Sequence, residues 1–187
     1  MVHTLPALGP RIIVMGPSNS GKSTLSLALA GRLGLPVIHL DLLRFEAGGF
    51  ETMRPLEAFH DDHQRIIEQE SWIIEGNYSS CLSERLERAT GAILLDCSTI
   101  RSLYRYVRRC RHAGQRAGGF PGAGTEPIRL SMIRHIIGPT RRNRRRYRDV
   151  FDRIALPCVI LETPHATRAF IAQEASWALQ RGSTAQA

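Results

Sequence analysis

Lysine is almost absent from this sequence. Of its 25 lysine and arginine residues, 24 are arginine, and the only lysine is Lys22. An arginine guanidinium is a planar fork, whereas a lysine ammonium is compact and sits on a thin stem. A loop wrapped tightly around an anion therefore has a steric reason to use lysine. The residues around Lys22 are the first place to look for chemistry.

Long apolar runs, cysteine pairs and aromatic residues are also scarce. No stretch of about eighteen apolar residues occurs, and residues 1–6 lack the basic start and apolar run of a secretory signal, so we expect a cytoplasmic protein without a membrane segment. Aromatic residues make up 6% of the chain, which gives little support for stacking on single-stranded nucleic acid. No Cys-x-x-Cys pair occurs, so we expect the cysteines to be small buried hydrophobes rather than disulfides or metal ligands. They are Cys81, Cys97, Cys110 and Cys158.

The positive charge is concentrated in one segment. The 187 residues carry a net charge of +8, but residues 101–153 contain fifteen arginines and three acidic residues, a local net charge of +12. The rest of the chain is slightly acidic, so the excess does not belong to the surface in general. We expect this segment to contact an anion. The length and the 43% apolar content fit one globular domain spanning residues 1–187.

Short apolar segments alternate with helical patterns along the chain. This alternation predicts an α/β sandwich, a parallel sheet with helices on both faces, in which ligands bind at the carboxyl ends of the strands. A glycine-rich loop is expected at residues 113–125. The predicted strands are 11–15, 36–40, 72–75, 92–96 and 157–161. The predicted helices are 24–33, 56–69, 81–89, 100–110, 127–153 with a break near Gly138-Pro139, and 165–181.

The pattern Gly-x-x-x-x-Gly-Lys-Ser lies between the first predicted strand and helix. Its glycines let the backbone curl so that the amides converge, and the helix N-terminus adds further donors. The pattern predicts a P-loop in which Lys22 contacts the β- and γ-phosphates of ATP and Ser23 coordinates Mg²⁺. A glycine turn with an exposed lysine is the alternative. The predicted ATP-binding residues are Gly16, Ser18, Asn19, Ser20, Gly21, Lys22, Ser23 and Thr24.

Arginines are the expected partners of a P-loop, because phosphoryl transfer depends on charge stabilisation and positioning. Arg105 and Arg109 lie one turn apart on a predicted helix that leads into the glycine-rich segment. A lid at about residues 110–145 would bring them onto the triphosphate when it closes. A solvated helix face is the alternative interpretation of the same spacing.

Acidic residues follow three of the predicted strands. Asp41 would accept the proton of a substrate hydroxyl or orient that hydroxyl for attack. Alternatively, it would only cap the next helix. Glu75 and Asp96 are candidates for contacting Mg²⁺ through water, and capping or turn formation would also explain each of them. The arginine-rich run at residues 141–148 is either the far side of the lid or a solvated basic helix.

These motifs together resemble the adenylate kinase-like P-loop kinases, and most closely the group labelled DNA topology modulation proteins. The resemblance extends from Arg11 to about Phe170. It depends on the P-loop, on His39-Leu40-Asp41-Leu42-Leu43 followed by Gly49-Phe50, on Trp72-Ile73-Ile74-Glu75-Gly76-Asn77-Tyr78, on Leu95-Asp96, and on the arginine-rich helix before the lid.

The resemblance implies a five-stranded parallel sheet of order 2-3-1-4-5, Mg-ATP as phosphate donor, and a small arginine-rich lid. It also implies that Arg105 and Arg109 bind the nucleotide phosphates. Asn77 follows the third strand where adenylate kinases carry a Gly-Phe-Pro-Arg signature, so we expect an acceptor other than AMP. Relatives carry Asp at the position of Glu75, which leaves a metal role for Glu75 open.

Two functions of different classes fit these features. We favour a small-molecule or nucleotide kinase that transfers the γ-phosphate of Mg-ATP. The alternative is a nucleotide-dependent regulator that binds a nucleic-acid backbone through residues 101–153, although no recognised nucleic-acid motif occurs. For the kinase, the candidate catalytic residues are Lys22, Asp41, Arg105 and Arg109, and the candidate acceptor contacts are Asp41, Asn77 and Tyr78.

Overall fold

The computed structural model describes residues 4–46, 52–111, 117–119 and 127–173. The predicted loop at Gly48-Gly49, most of the predicted loop at 113–125 and the predicted helix beyond residue 173 lie outside the described residues.

Five strands form one parallel sheet in the order β2-β3-β1-β4-β5, as predicted. Strands β1, β3 and β4 are short and consist mainly of β-branched and leucine residues, and they are buried almost throughout. Burial of both faces explains why their sequences are continuous apolar runs rather than alternating patterns. The strands are β1 Arg11–Met15, β2 Val37–His39, β3 Trp72–Glu75, β4 Gly91–Leu95 and β5 Cys158–Leu161.

Helices cover both faces of this sheet. On one face, Leu25, Leu29 and Phe170 pack against the strands, and on the other face Phe59 and Phe151 do so. The leucines recur every four residues on α1, which is the spacing of one helix face. The helices are α1 Lys22–Leu33, α2 Leu40–Arg44, α3 Leu56–Ile67, α4 Leu82–Arg88, α5 Thr99–Arg111, α6 Leu130–His135, α7 Arg141–Arg153 and α8 Pro164–Ile171.

Three local features differ from the sequence-based expectations. Helix α2 and the 3₁₀ turn Leu5–Leu8 were not predicted, because segments of four or five residues are too short to show a helical period. The predicted break at Gly138-Pro139 is instead a π-helical turn, Ile136–Thr140, which joins α6 to α7 without leaving the helical conformation. The turn accommodates Pro139, which has no N–H to donate.

The cysteine prediction is confirmed for two residues only. Cys81 and Cys97 are buried, whereas Cys110 and Cys158 are half-buried, and all four are free thiols. In the described part of the chain, no helix is both long enough and apolar enough to cross a membrane.

Candidate active site

The P-loop follows β1 directly and ends where α1 begins. Gly16 has a φ of 150°, and a Cβ at this position would lie 2.5 Å from the carbonyl oxygen of Leu95. Only glycine fits there, so the first glycine of the pattern is fixed by the close approach of β4. Within α1 the first backbone hydrogen bond runs from Leu25 N to Gly21 O, which leaves the earlier amides without a partner inside the helix.

Lys22 and Ser20 complete the inner surface of this loop. The ammonium of Lys22 donates to the carbonyl oxygens of Gly16 and Pro17, at 3.0 and 3.1 Å. The hydroxyl of Ser20 is buried and has no hydrogen-bond partner among the described residues. A ring of amides, a cation and an unpartnered buried hydroxyl fits a phosphate group, whose oxygens accept hydrogen bonds from all three.

Asn77 braces the P-loop from the end of β3. Its side-chain oxygen accepts a hydrogen bond from the Gly16 amide at 3.1 Å, and its side-chain nitrogen donates to the Gly16 carbonyl at 2.8 Å. A carboxylate could not donate, so this two-way contact requires an amide side chain. The contact of Asn77 with an acceptor stays a prediction, and the contact that the structure shows is with the first glycine of the P-loop.

Ser23, Glu75 and His39 form a cluster at the carboxyl ends of β2 and β3. The Ser23 hydroxyl donates to Glu75 Oε1 at 2.9 Å, and His39 Nδ1 lies 2.8 Å from the same oxygen. Burial would raise the pKa of Glu75, but the hydrogen bond from His39, the charge of Lys22 and the hydrogen bond from Ser23 outweigh it and lower that pKa. Glu75 is therefore ionised beside the hydroxyl that was predicted to coordinate Mg²⁺.

An oxygen-rich pair of this kind suits a hard cation that keeps most of its waters. Ser23 would hold such a cation directly and Glu75 would hold it through water. His39 was not singled out from the sequence, although its position at the end of a strand is the same signal that identified Asp41.

Asp41 and Tyr78 are joined by a hydrogen bond in which the Tyr78 hydroxyl donates to Asp41 Oδ1 at 2.8 Å. Burial and the charge of Asp41 both raise the pKa of Tyr78, so the phenol stays protonated and keeps donating. Asp41 lies in the first turn of α2. Its second carboxylate oxygen has no described hydrogen-bond partner, which leaves it available to a substrate hydroxyl.

Arg85 supports the segment that carries Asn77 and Tyr78. Its side chain is fully buried on α4, and its guanidinium donates to the carbonyls of Gly76, Tyr78 and Cys81 at 3.2, 2.7 and 3.4 Å. No described carboxylate forms an ion pair with it, and burial lowers its pKa. Arg85 could not be selected from the sequence, because an arginine in a short polar helix is normally exposed.

Arg105 and Arg109 extend from α5 but make different contacts. The Arg105 guanidinium donates to the carbonyl of Ser20 in the P-loop. The Arg109 guanidinium lies over the ring of Tyr106, 5.5 Å from its centre. Arg105 therefore reaches the phosphate loop, whereas Arg109 packs against the buried Tyr106, whose hydroxyl accepts a hydrogen bond from the amide of Arg129.

Gly118 belongs to the predicted lid and lies against Ser23 and His39. Its φ is +67°, and a Cβ there would lie 2.7 Å from His39 Nδ1 and 2.9 Å from Ser23 Oγ. The described lid residues 117–119 therefore approach Ser23 and His39 so closely that only glycine fits at the point of contact.

Asp96 has two partners on α7 that the sequence did not predict. Its side chain is fully buried after β4, and its two oxygens accept hydrogen bonds from Arg144 and Arg148. Burial would raise its pKa, but these two guanidinium groups lower it. With both oxygens used by arginines, Asp96 is a poor metal ligand and instead anchors α7 to the sheet. Arg148 also pairs with Glu162.

One open cavity of about 470 Å³ joins the P-loop to α7. Lys22, Asp41 and Tyr78 line it on the sheet side, and Asn143 and Arg146 line it on the helix side. The cavity thus brings the loop that fits phosphate next to the residues predicted to contact an acceptor.

No family model matches the chain, and no curated protein does. Solved structures do match. A gluconokinase from Sinorhizobium meliloti 1021 is 17% identical, with a TM-score of 0.51 over 97% of this chain and 95% of that one. The fold is that of the P-loop kinases. A shikimate kinase from Acinetobacter baumannii in complex with shikimate is 17% identical, with a TM-score of 0.54 over 95% and 94% of the two chains.

A shikimate kinase from Bacteroides thetaiotaomicron is 18% identical, with a TM-score of 0.51 over 94% of this chain and 98% of that one. At this level of identity the matches establish the α/β P-loop kinase fold. The closer resemblance to the group labelled DNA topology modulation proteins stays a prediction.

Proposed function

We propose that this protein is a kinase that transfers the γ-phosphate of Mg-ATP to the hydroxyl of a small molecule. The observation that carries the proposal is that Lys22 of the P-loop and Asp41 of α2 line the same cavity. A phosphate donor and a hydroxyl acceptor must meet within one space for direct transfer, and this cavity offers a cation at one point and a carboxylate at another. The names of neighbours with this fold, gluconokinase and shikimate kinase, are in line with a small acceptor.

In this proposal the P-loop residues bind and orient the triphosphate. The amides of the first turn of α1 and the Ser20 hydroxyl donate to phosphate oxygens, and Lys22 exchanges its contacts with the Gly16 and Pro17 carbonyls for contacts with phosphate. Arg105 is already at the loop and would turn its guanidinium from the Ser20 carbonyl to the transferring group. Arg109 would need to leave the Tyr106 ring to take the same role.

Ser23 and Glu75 would hold Mg²⁺, which neutralises charge on the phosphates when bound. Asp41 accepts or orients the acceptor hydroxyl through its second oxygen, while Tyr78 holds its first oxygen. Gly118 lies over Ser23 and His39, so the lid segment would exclude water from this end of the site.

The test is ADP formation by wild type and Lys22→Ala with Mg-ATP and a panel of sugars, polyols, hydroxy acids and nucleosides. We expect one class of acceptor to stimulate ADP formation in wild type, and the Lys22→Ala variant to lose that stimulation. Circular dichroism and nucleotide binding serve as folding controls. If ATP binds but no small molecule stimulates turnover, the kinase proposal is wrong.

The alternative partner, a nucleic acid, is less favoured because three arginines of the basic segment contact other parts of the protein. Arg105 contacts the P-loop, and Arg144 and Arg148 pair with Asp96. Arg141, Arg142 and Arg145 are exposed on α7 and would be the ones to meet a phosphate backbone. A steep loss of duplex affinity with salt that depends on these three would favour this alternative.

A further inference from the structure

The cavity between the P-loop and α7 has polar groups on both of its walls. On the sheet side it is lined by Lys22 of the P-loop and by Asp41, which is the only acidic residue among the described residues of the lining. On the helix side the described lining residues include His135, Asn143 and Arg146. A ligand that spans the cavity therefore meets a hydrogen-bond acceptor at one end and a cation at the other.

The arginines of α7 lie on different faces of the helix, so that some contact Asp96 and one lines the cavity. Arg144 and Arg148, four residues apart, face Asp96 and form ion pairs with it. Asn143, Arg146, Tyr147 and Val150 follow the spacing of a neighbouring face and line the cavity. The pairing with Asp96 fixes the rotation of α7, and this rotation places Arg146 at the cavity.

The guanidinium of Arg146 is available to bind a ligand. Among the described residues, none accepts a hydrogen bond from it or pairs with it ionically, in contrast to Arg144 and Arg148. The guanidinium is a planar fork that binds both oxygens of a carboxylate or two oxygens of a phosphate. The aromatic ring of Tyr147 and the apolar side chain of Val150 beside it provide a surface for the carbon skeleton of a ligand.

We propose that the acceptor is a small hydroxylated anion, a carboxylate or a phosphate ester, whose anionic group binds Arg146 and whose reacting hydroxyl lies at Asp41. This inference rests on the proposed kinase function and adds to it the charge and orientation of the acceptor. An uncharged polyol of the same shape would make no ionic contact with Arg146 and would bind less tightly.

The test compares each anionic acceptor with a neutral compound of related carbon skeleton that lacks the anionic group. ADP formation is measured with D-gluconate against sorbitol, D-glycerate against glycerol, and ribose 5-phosphate against ribose, so that the carboxylate and the phosphate are separate arms. The variants are Arg146→Ala, Arg146→Lys and the control Arg145→Ala, whose residue is exposed on the same helix and does not line the cavity. Binding of the same compounds is followed by calorimetry without ATP.

We expect an anionic acceptor to be preferred and Arg146→Ala to raise its KM about tenfold, with kcat little changed, because hydrogen bonds to a charged group are lost. Arg146→Lys should recover part of the loss, and Arg145→Ala should match wild type. Equal use of an anion and its neutral partner, or equal effects of Arg146→Ala and Arg145→Ala, would overturn the inference and leave the kinase intact.

The two proposals fail in different ways. If an anion binds in an Arg146-dependent manner but no compound yields ADP, the anion site stands and the kinase function is wrong. If no anion either binds or stimulates turnover while a neutral compound does, the anion site is wrong and the kinase stands. If no compound of the panel binds or reacts, both are wrong for these classes of acceptor.

Discussion

Glu75 and Asp96 occupy equivalent places on the two sides of β1, one at the end of β3 and the other just after β4. Both are buried, and both have a lowered pKa. Their partners differ completely. Glu75 accepts from Ser23 and His39 next to the P-loop, whereas Asp96 accepts from two guanidinium groups of α7.

This difference shows that the place of a carboxylate on a sheet edge does not decide its role. A carboxylate bonded to a hydroxyl can exchange that bond for a water bound to a metal ion at little cost. A carboxylate held by two arginines would leave both cations without a partner if it turned to a metal. We therefore assign the chemistry to Glu75 and the anchoring of α7 to Asp96, and four predictions test this assignment.

The largest effect is expected for Glu75→Gln. Loss of the negative charge beside Ser23 should lower kcat about 100- to 1,000-fold, which is the range for the removal of one electrostatic group in a transition state. ADP formation measured over a range of Mg²⁺ concentrations checks the prediction. The control is Glu70→Gln, because Glu70 is exposed and lies just before β3. A kcat within twofold of wild type would show that Glu75 does not contribute to catalysis.

For Asp96→Asn we expect a loss of stability rather than of metal dependence. Removing one partner of a buried ion pair costs about 3–5 kcal/mol, and since both arginines can turn toward water we expect about 2–3 kcal/mol here. Urea unfolding gives the value. Asp149→Asn, at an exposed position of α7, is the matched control. A shift in Mg²⁺ half-saturation without a loss of stability would reverse the assignment of the two carboxylates.

A smaller effect is expected at His39. His39→Ala removes the donor that holds Glu75 Oε1, and this should raise the Mg²⁺ concentration for half-maximal activity about tenfold, the usual cost of losing a residue that orients a metal-binding group. The side-chain amide of His39→Asn can donate from a similar position and should restore most of the affinity. If Ala and Asn behave alike, the hydrogen bond is not what matters at this position.

The smallest effect is expected in mild acid. A carboxylate whose pKa is lowered by folding stabilises the protein above its unfolded pKa of about 4, and the contribution is lost as pH falls through the lower folded value. The free energy of unfolding should therefore decrease below about pH 4, and less steeply in Asp96→Asn than in wild type. Urea unfolding between pH 6 and pH 3 measures both slopes. Parallel slopes would mean that folding does not lower the pKa of Asp96.

The features that could be predicted from the sequence are those that depend on residues close together in the chain. The P-loop was recognised because strand, glycine turn and helix follow each other between Arg11 and Leu33, and the resemblance supplied the strand order. The partners of Asp96 could not be predicted, because Arg144 and Arg148 are 48 and 52 residues away and nothing in their spacing selects this carboxylate.

Arg85 was missed for a different reason. Its burial follows from three backbone carbonyls that only the folded turn after β3 brings together. Neither the composition nor the spacing of apolar residues indicates such an arrangement, because every residue has a backbone carbonyl. His39, in contrast, could have been found, because it ends β2 just as Glu75 ends β3.

The single lysine has a practical consequence. Since the other basic side chains are guanidinium groups and imidazoles, a reagent that selects aliphatic amines has one side chain to modify, Lys22, besides the chain terminus. Lys22 donates to two carbonyls of its own loop, so it should react slowly, and bound phosphate should protect it further. The rate of mono-acylation, followed by mass spectrometry, would then report occupancy of the phosphate loop directly, without any engineered label.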